Sequence, residues 1–430
     1  MAVPGTDPPD AQLRGDEVRQ SDRASTRRER VLRALSFQES DQVPKDLGGM
    51  NSTGISAFAY PALVAALGLP PRRPKVHDTG QMLALPDLDV LDALDCDVVT
   101  VHMDWCTNAF EEPARWHEYD FGGRLAARVA RPEDFRVEPD GTVVQWADSR
   151  MVPDSYVFDA PHGGQELDLS TDPKREDLDE LGRSLESALL PRERVNSIRD
   201  YCRRAREATD RAIMFNGLSA GLGFRGGLAN FSMLCLTDPG YVHELHELLV
   251  SHAIEQARRL LPEIAPYVDV IMLSADDHGT QGTTILPPGV FRELFVPYYR
   301  RVNDAVHKLA PSAKTFLHCC GAIFGILEDI IDCGFDVLNP VQWSAGGHSY
   351  REWKDVCRGR IALWGGGVNT QTTLPLGTVG ELREEVARVV EYLSGGSGYV
   401  FCAIHNILAE IPPEKVIAMY RTAKAVRGGP

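Results

Sequence analysis

The feature that most constrains the fold is an alternation of short apolar runs with helical segments, which returns about eight times along the 430-residue chain. The apolar runs are rich in Val, Ile, Leu and Phe and do not alternate with polar residues, which is typical of strands covered on both faces. The candidate strands are VPKDLGG (43–49), CDVVTVH (96–102), AIMFNG (212–217), VDVIMLSAD (268–276), KTFLHCC (314–320), FDVLNPV (335–341), IALWGGG (361–367) and GYVFCA (398–403).

The segments between these runs have a helical period and helix boundary signals. In TVGELREEVARVVEYLSGG, Thr378 and Glu381 have the spacing of an N-terminal capping box, and Gly395 offers a C-terminal stop. Strands that alternate with helices indicate a parallel sheet, and about eight such units indicate a closed barrel. We therefore predict an α/β fold of the (β/α)8 TIM-barrel class.

One region, from residue 104 to about 195, breaks this rhythm. Gly122-Gly123 and Asp140-Gly141 are hairpin turn signals between alternating runs. We predict an antiparallel β insertion after the second barrel strand that caps the barrel mouth. An independent second domain is the alternative, but no linker rich in Pro, Gly or Ser flanks the region.

The first 27 residues mix Pro, Gly, Ser and charged residues with almost no large apolar side chains. Such a segment buries too little surface to offset the entropy lost on ordering, so we predict a flexible N-terminal tail. Residues 28–430 are predicted to form a single barrel domain that contains the cap.

Net charge and cysteine usage restrict the class of partner and the compartment. The net charge of -16 disfavours nucleic acid and anionic membrane surfaces, and no apolar run approaches the roughly 20 residues that span a bilayer. Nine cysteines, an odd number on a long chain, indicate reduced thiols. We predict a cytoplasmic protein that binds neither nucleic acid nor membrane.

Polar residues with chemical potential gather where the predicted strands end, and barrel enzymes carry their reactive groups at the C-terminal ends of strands. The residues at these positions are Asp46, Asp97, Asp276, His318, Cys320, Asn339, Gln342, Trp364, Gln371, Cys402 and His405.

The fifth candidate strand predicts part of a metal site. His318 and Cys320 are two residues apart, so on an extended strand both side chains point to the same side. An imidazole and a thiol on one face make half of a zinc site, and Cys402 and His405 are the nearest further donors of this type. A His-x-Cys spacing also occurs by chance, so a purely structural histidine is the alternative.

Asp276 and Asp277 are adjacent and therefore point to opposite faces of a strand. Only one of them can enter the barrel with ease. We predict that Asp276 is the pocket acid or base and that the other carboxylate caps a loop or helix.

The chain resembles the uroporphyrinogen decarboxylase superfamily, in particular its branch of zinc-dependent, corrinoid-linked methyltransferases. The resemblance runs from about residue 28 to 425 and lies in the order and spacing of several pieces. They are RRERVLRALSFQESDQVPKDLGG, STGISAFAY, DDHGTQ, FRELFVPYYRRVNDAVHK, FLHCCG, LNPVQ, WGGGVNTQTTLPLGT and GYVFCAIHNILAEIPPEKVIAMY.

In that branch zinc is held by His-x-Cys and a later Cys, which the resemblance carries to His318 and Cys320. The third position differs, since His405 stands where the branch has Cys and Cys402 lies three residues too early. The third ligand is therefore open between His405 and Cys402. Two imidazoles and one thiolate would leave Zn²⁺ with one positive charge, a stronger Lewis acid than a neutral centre.

The resemblance implies zinc-dependent transfer of a methyl or related group from a small O-, N- or S-methylated substrate. A corrinoid protein is the candidate acceptor, and its cobalamin would come with the partner because this chain shows no corrinoid-binding segment. A homodimer is a candidate assembly. Strand-end position and resemblance together assign the substrate site to Asp46, Asp97, Asn339, Gln342, Trp364 and Gln371.

Two other functions are compatible with the residues. The first is a metal-free lyase of the uroporphyrinogen decarboxylase type acting on a small carboxylate. True uroporphyrinogen decarboxylases resemble one another in an Arg-rich N-terminal segment, whereas VPKDLGGMNSTGIS offers only Lys45 as a cation. The second is a barrel that binds a ligand without catalysis, which predicts no bound zinc.

Overall fold

The computed structural model describes residues 25–103, 115–158 and 173–426. The first 24 residues of the predicted tail and parts of the predicted cap lie outside these ranges. The strands in the described ranges are β1 (Ile55–Ser56), β2 (Val76–Asp78), β3 (Leu83–Ala84), β4 (Val98–His102), β5 (His117–Asp120), β6 (Ala126–Val129), β7 (Arg136–Val137), β8 (Val143–Val144), β9 (Arg150–Met151), β10 (Ala212–Asn216), β11 (Val270–Ala275), β12 (Lys314–His318), β13 (Val337–Asn339), β14 (Ala362–Trp364) and β15 (Tyr399–Val400).

Helices separate the long strands, and none within the described ranges is both long and apolar enough to cross a lipid bilayer. They are α1 (Arg27–Leu35), α2 (Tyr60–Ala66), α3 (Leu88–Ala93), α4 (Leu178–Ser187), α5 (Arg192–Ala208), α6 (Leu228–Thr237), α7 (Pro239–Ile264), α8 (Pro288–Leu294), α9 (Val296–Leu309), α10 (Leu327–Asp332), α11 (Tyr350–Cys357), α12 (Thr373–Leu376), α13 (Val379–Ser394) and α14 (Pro413–Ala425).

A seven-stranded parallel sheet forms the centre of the molecule, in the order β15-β14-β13-β12-β11-β10-β4. The predicted first strand, 43–49, is reduced to a single bridge, but it joins the two edges of this sheet. Asp46 N donates to Phe401 O over 2.9 Å, and Asp97 N donates to Lys45 O over 2.7 Å. The sheet therefore closes, and the predicted (β/α)8 barrel is confirmed.

The two-residue period of the strands sends one set of side chains into the barrel and the other toward the helices. Helix α1 closes the N-terminal end of the barrel with Val31 and Leu35, which pack in the same cluster as the inward side chains. Those inward side chains include Val98, Met214, Val270, Phe316, Val337, Trp364, Val400 and Cys402.

Two small antiparallel sheets lie between β4 and β10, where the insertion was predicted. They are the β5-β6 hairpin and the three strands β7-β8-β9. Gly122 and Gly123 connect β5 and β6 with positive φ, and Gly141 does the same between β7 and β8. A third antiparallel sheet, β1-β3-β2, precedes β4 and was not predicted from the sequence.

Replacing Phe316 by Ala is expected to lower the free energy of unfolding by about 3 to 5 kcal/mol, because it leaves a cavity in the barrel interior. Phe316 is fully buried and packs edge-on against Trp364. Leu376→Ala, at a side chain that is 80% exposed, is the matched control and should change stability by less than about 0.5 kcal/mol. Urea unfolding measures both, and equal losses would contradict the packing described.

Candidate metal centre

Three side chains with metal-binding atoms meet at the C-terminal edge of the barrel. His318 ends β12, Cys320 lies two residues later, and His405 lies in the loop after β15. The ligand atoms of these three residues all lie within 4.8 Å of one another. Cys320 Sγ is 3.1 Å from His318 Nε2, and the two imidazole centroids are 5.9 Å apart.

Backbone contacts after β12 fix the position of Cys320. Gly321 has a φ of +92°, and a Cβ there would clash with the backbone of Gly279. The loops after β11 and β12 therefore touch backbone to backbone, which only glycine permits. Gly321 N also donates to Gln342 Oε1 over 2.8 Å. Gln342, predicted as a substrate residue, thus braces the loop that carries Cys320.

Asn339 and Ser52 hold the imidazole of His318 from below. His318 Nδ1 is 2.7 Å from Asn339 Oδ1 and 3.0 Å from Ser52 Oγ. Ser52 Oγ itself donates to Asn339 Oδ1 over 3.0 Å. Asn339, also predicted to bind substrate, therefore contacts the candidate ligand His318.

The loop of His405 is tied to the small N-terminal sheet. Ile407 N donates to Gly54 O over 2.9 Å, and Ser56 N donates to Ile407 O over 2.8 Å. Within the loop, His405 Nδ1 is 2.8 Å from Asn406 Oδ1. His405 is thereby held at the barrel mouth.

The adjacent carboxylates have different surroundings. Asp277 Oδ1 accepts a hydrogen bond from Cys320 N over 2.7 Å and lies 3.6 Å from His318 Nε2. The carboxylate of Asp276 instead accepts from Tyr299 Oη over 2.6 Å and from Ser274 Oγ. A register shift between Met272 and Ser274 turns the end of β11, so Asp277 is the carboxylate next to the candidate ligands.

Burial shifts the pKa values of the groups at this edge. It raises the pKa of the Cys320 thiol, and the nearby Asp277 carboxylate raises it further. It lowers the pKa of His318 and raises that of Asp276. A metal bound at this edge would have to displace the Cys320 proton, because thiolate is the form that binds metal.

Asp46 and Trp364, both predicted to line the substrate site, are fully buried inside the barrel. Trp364 Nε1 donates to Asp46 Oδ2 over 2.9 Å, and Gly49 N donates to Asp46 Oδ1 over 2.8 Å. Burial raises the pKa of Asp46 to about 6. Their hydrogen bonds link interior segments of the barrel, and a contact of either residue with substrate stays a prediction.

Asp97, predicted to line the substrate site, lies away from the barrel mouth. It precedes β4, at the N-terminal end of the barrel, where it pairs with Arg30 and accepts a hydrogen bond from Lys45 N over 2.8 Å. Asp97 is near the start of the predicted strand (96–102) and directly precedes β4, which begins at Val98, so it lies far from the C-terminal end of that strand.

Cys402 is not part of the three-residue cluster found in the described ranges. Its side chain points into the barrel and belongs to the interior cluster with Phe316 and Trp364. Burial raises its pKa. Of the two alternatives for a third ligand, the geometry brings His405 to His318 and Cys320.

Gln371 lies on the exposed rim of the mouth. Its Nε2 donates to Gln281 Oε1 over 3.0 Å, and its Oε1 accepts from Ser344 Oγ over 3.0 Å. Gln371 is the one predicted substrate residue whose amide lies in an exposed rim network.

Sequence reasoning missed several contacts of the candidate ligands. Asn406 directly follows His405, and Asp277 follows the predicted strand end, so both were visible as polar neighbours of candidate residues. Ser52, next to His318, and Gln81, whose Oε1 accepts from Asn406 Nδ2 over 2.8 Å, lie in the N-terminal region and carry no local signal of these positions. Only the closure of the barrel brings them there.

The comparison with protein families decides the membership of the chain. The family model described as uroporphyrinogen decarboxylase (URO-D) matches residues 180–426, more than half of the chain. The chain belongs to the URO-D family. All three members of the cluster lie within the part that matches the URO-D model, and the family resemblance predicted from the sequence is confirmed.

Curated URO-D relatives match shorter parts of the chain. A uroporphyrinogen decarboxylase of Thermus thermophilus is 28% identical over 131 residues, which cover 30% of this chain and 35% of that protein. That of Syntrophotalea carbinolica is 26% identical over 203 residues, which cover 45% of this chain and 56% of that protein. The chain spans between a third and just over half of the length of these relatives.

A solved methyltransferase from Methanosarcina mazei has the same overall fold. It aligns over 93% of this chain and 98% of its own with a TM-score of 0.54. The two sequences are 17% identical, so this likeness shows a shared fold.

His278, next to Asp277, supplies a pH-dependent test of the buried network behind the site. It is enclosed by Phe291 and Phe295, and its Nε2 is 3.3 Å from Tyr299 Oη. Burial lowers its pKa to about 3. In the unfolded chain the His278 imidazole takes up a proton near pH 6.5, whereas in the folded protein it stays neutral. The free energy of unfolding is therefore highest above that pH and decreases as the pH falls below it.

Between pH 7 and pH 5 the free energy of unfolding of the wild type should therefore fall by about 2 kcal/mol more than that of a His278→Phe variant. Urea unfolding of both proteins at the two pH values gives the difference. An identical pH dependence in the two proteins would show that His278 is not held neutral in the folded state.

Proposed function

We propose that this protein is a zinc-dependent transferase that moves a methyl or related group from a small O-, N- or S-methylated substrate to a corrinoid protein. The observation that carries the proposal is the convergence of His318, Cys320 and His405, whose ligand atoms lie within 4.8 Å of one another. They meet at the edge of the barrel where enzymes of this fold place their chemistry.

The donor set fits zinc. Catalytic zinc sites combine three protein ligands from Cys, His and carboxylate with one open position, at bond lengths of about 2.0 to 2.3 Å. Two imidazoles and one thiol at the observed mutual distances can surround one such ion. Cys320 is only partly buried, which leaves the outer side of the cluster accessible to a substrate.

Bound zinc would supply Lewis acidity toward the heteroatom of the substrate, because two neutral imidazoles and one thiolate leave one positive charge on the centre. In the proposed transfer the bond between carbon and heteroatom breaks, and the heteroatom keeps the electron pair. The methyl group forms its new bond with the electron pair of Co(I). The acceptor corrinoid is supplied by the partner.

The departing heteroatom needs a proton, and Asp276 is the proposed donor. Burial raises its pKa, and Tyr299 and Ser274 both donate to the same oxygen, Oδ2. The other oxygen, Oδ1, faces Gly223, where a Cβ would come within 2.8 Å. Glycine at that position therefore lets the carboxyl group lie against the backbone, where any side chain would clash with it. Gln371 on the rim is the proposed contact for the body of the substrate.

A metal-free decarboxylase is the second candidate. It is favoured by the curated relatives, whose names are uroporphyrinogen decarboxylase, and by the raised pKa of the buried Asp276. This candidate needs no thiol, so its activity should survive a Cys320→Ser substitution.

Zinc content is the first prediction of the proposal. The purified protein should bind about one zinc ion per chain. His405→Ala should bind substantially less, whereas Cys402→Ser should retain full occupancy because its thiol lies in the barrel interior. Elemental analysis after dialysis measures all three proteins. Full occupancy in His405→Ala, or loss of zinc in Cys402→Ser, would refute the ligand set.

Methyl transfer is the second prediction. Free cob(I)alamin serves as acceptor, and small substrates with an O-methyl, N-methyl or S-methyl group are tested in turn. At least one of them should yield methylcobalamin, which is followed by its absorbance. Cys320→Ser should lower the rate by about a hundredfold or more, since a Lewis acid contributes several kcal/mol. A decarboxylation that proceeds unchanged in Cys320→Ser would select the second candidate instead. If the protein binds no zinc and turns over no substrate, the result would indicate a barrel that binds a ligand without catalysis.

A further inference from the structure

We propose that Asn339 and Asn406 are positioning residues that lock both candidate imidazoles in the tautomer with the proton on Nδ1. The Nε2 atom of each ring then keeps its lone pair for the metal. This inference rests on the proposed zinc site and extends it to residues that do not touch the ion. Asn339 ends β13 and Asn406 lies in the loop after β15, so a similar contact occurs twice around one cluster.

The orientation of the Asn339 amide is fixed by a backbone acceptor. Asn339 Nδ2 donates to the carbonyl oxygen of Trp364 over 2.9 Å, so its Oδ1 must be the atom that faces His318. An amide oxygen only accepts hydrogen bonds, and His318 Nδ1 lies 2.7 Å from it. His318 Nδ1 therefore carries the proton, and Nε2, which faces Cys320 Sγ, carries the lone pair.

Ser52 supports the same assignment. Its hydroxyl donates to Asn339 Oδ1, so the hydroxyl oxygen is left as an acceptor toward His318 Nδ1 at 3.0 Å. Both groups that face Nδ1 are therefore acceptors. Asn339 is fully buried and Ser52 nearly so, and burial makes a reversed, mismatched arrangement costly.

Asn406 makes the corresponding contact with His405, and the group that orients its amide is the side-chain amide of Gln81. Asn406 Nδ2 donates to Gln81 Oε1 over 2.8 Å, which leaves Asn406 Oδ1 to accept from His405 Nδ1 over 2.8 Å. Asn406 is buried, and the next residue, Ile407, is hydrogen-bonded to the small N-terminal sheet. His405 Nε2 is thus the nitrogen left to bind a metal.

The choice of asparagine affects charge as well as orientation. The hydrogen bond made by one imidazole nitrogen sets which nitrogen binds metal, and the partner is often a carboxylate, which makes the ligand more basic. A carboxylate at each of the two positions would add two negative charges beside the centre. Neutral amides orient the rings without adding further negative charge to a centre beside which Asp277 already places one carboxylate, 3.6 Å from His318 Nε2.

The test compares Asn406→Leu, which removes the acceptor, with Asn406→Asp, which keeps it. Asn230→Leu is the matched control, because Asn230 is half-buried and hydrogen-bonds the backbone of Lys174, in a part of the chain that is not among the contacts of the cluster. Zinc affinity is measured by competition with a chelator. The His405 tautomer of the zinc-free protein is measured by ¹⁵N NMR of labelled histidine.

Asn406→Leu is expected to weaken zinc binding by about 10- to 100-fold and to lose the Nδ1-protonated form of His405. Asn406→Asp should restore affinity to near the wild-type value, and Asn230→Leu should change neither readout. If the role of Asn406 were purely structural, Asn406→Asp and Asn406→Leu would show the same His405 tautomer.

The outcomes separate this inference from the zinc proposal. If the wild type binds no zinc, the proposed function itself fails. If the wild type binds zinc and Asn406→Leu binds it equally well with an unchanged tautomer, the positioning role is overturned and the zinc site stands. Should Asn406→Leu not fold, Gln81→Leu replaces it, since it removes the acceptor that orients the Asn406 amide. An unchanged affinity and tautomer in that variant would equally overturn the role.

Discussion

The two-residue period of β12 is the constraint on which the site depends. Phe316 and His318 lie on one face of β12, and Cys320 continues the same alternation two residues beyond its end. This face points into the barrel, where Phe316 belongs to the interior cluster. Phe316 fills the apolar interior, and the next two inward positions reach the mouth with metal-binding atoms. The same alternation therefore sets both the packing of the barrel interior and the position of the candidate ligands. A shift in the register of β12 would disrupt both.

Closure of the barrel supplies what β12 lacks. The segment around Lys45 joins β15 to β4, and the residues after it bring Ser52 beneath His318. The last strand then delivers the loop of His405 to the same edge, where hydrogen bonds to Gly54 hold it. Residues that lie hundreds of positions apart in the chain thus meet through parallel strand order, which explains why a site of this kind needs the complete barrel.

The sequence predicted the architecture and the central pair of the site because both follow from period. Continuous apolar runs identified seven of the strands, and spacing placed His318 and Cys320 on one face. Misplaced residues have physical reasons. Asp97 precedes its strand and so lies at the N-terminal end of the barrel, and Asp46 and Trp364 are hydrogen-bonded to each other in the interior. The hydrogen bonds of the two imidazoles were not predicted, because hydrogen bonds between distant loops produce no periodic pattern in a sequence.

X-ray absorption spectroscopy at the zinc edge of the loaded protein distinguishes the possible ligand sets, since it identifies the atoms bound to the ion. A His-Cys-His centre should give one sulfur at about 2.3 Å, with the remaining ligands nitrogen or oxygen at about 2.0 to 2.1 Å and imidazole scattering from two rings. A shell with two sulfurs would place Cys402 or another thiol on the metal and would contradict the His-Cys-His centre.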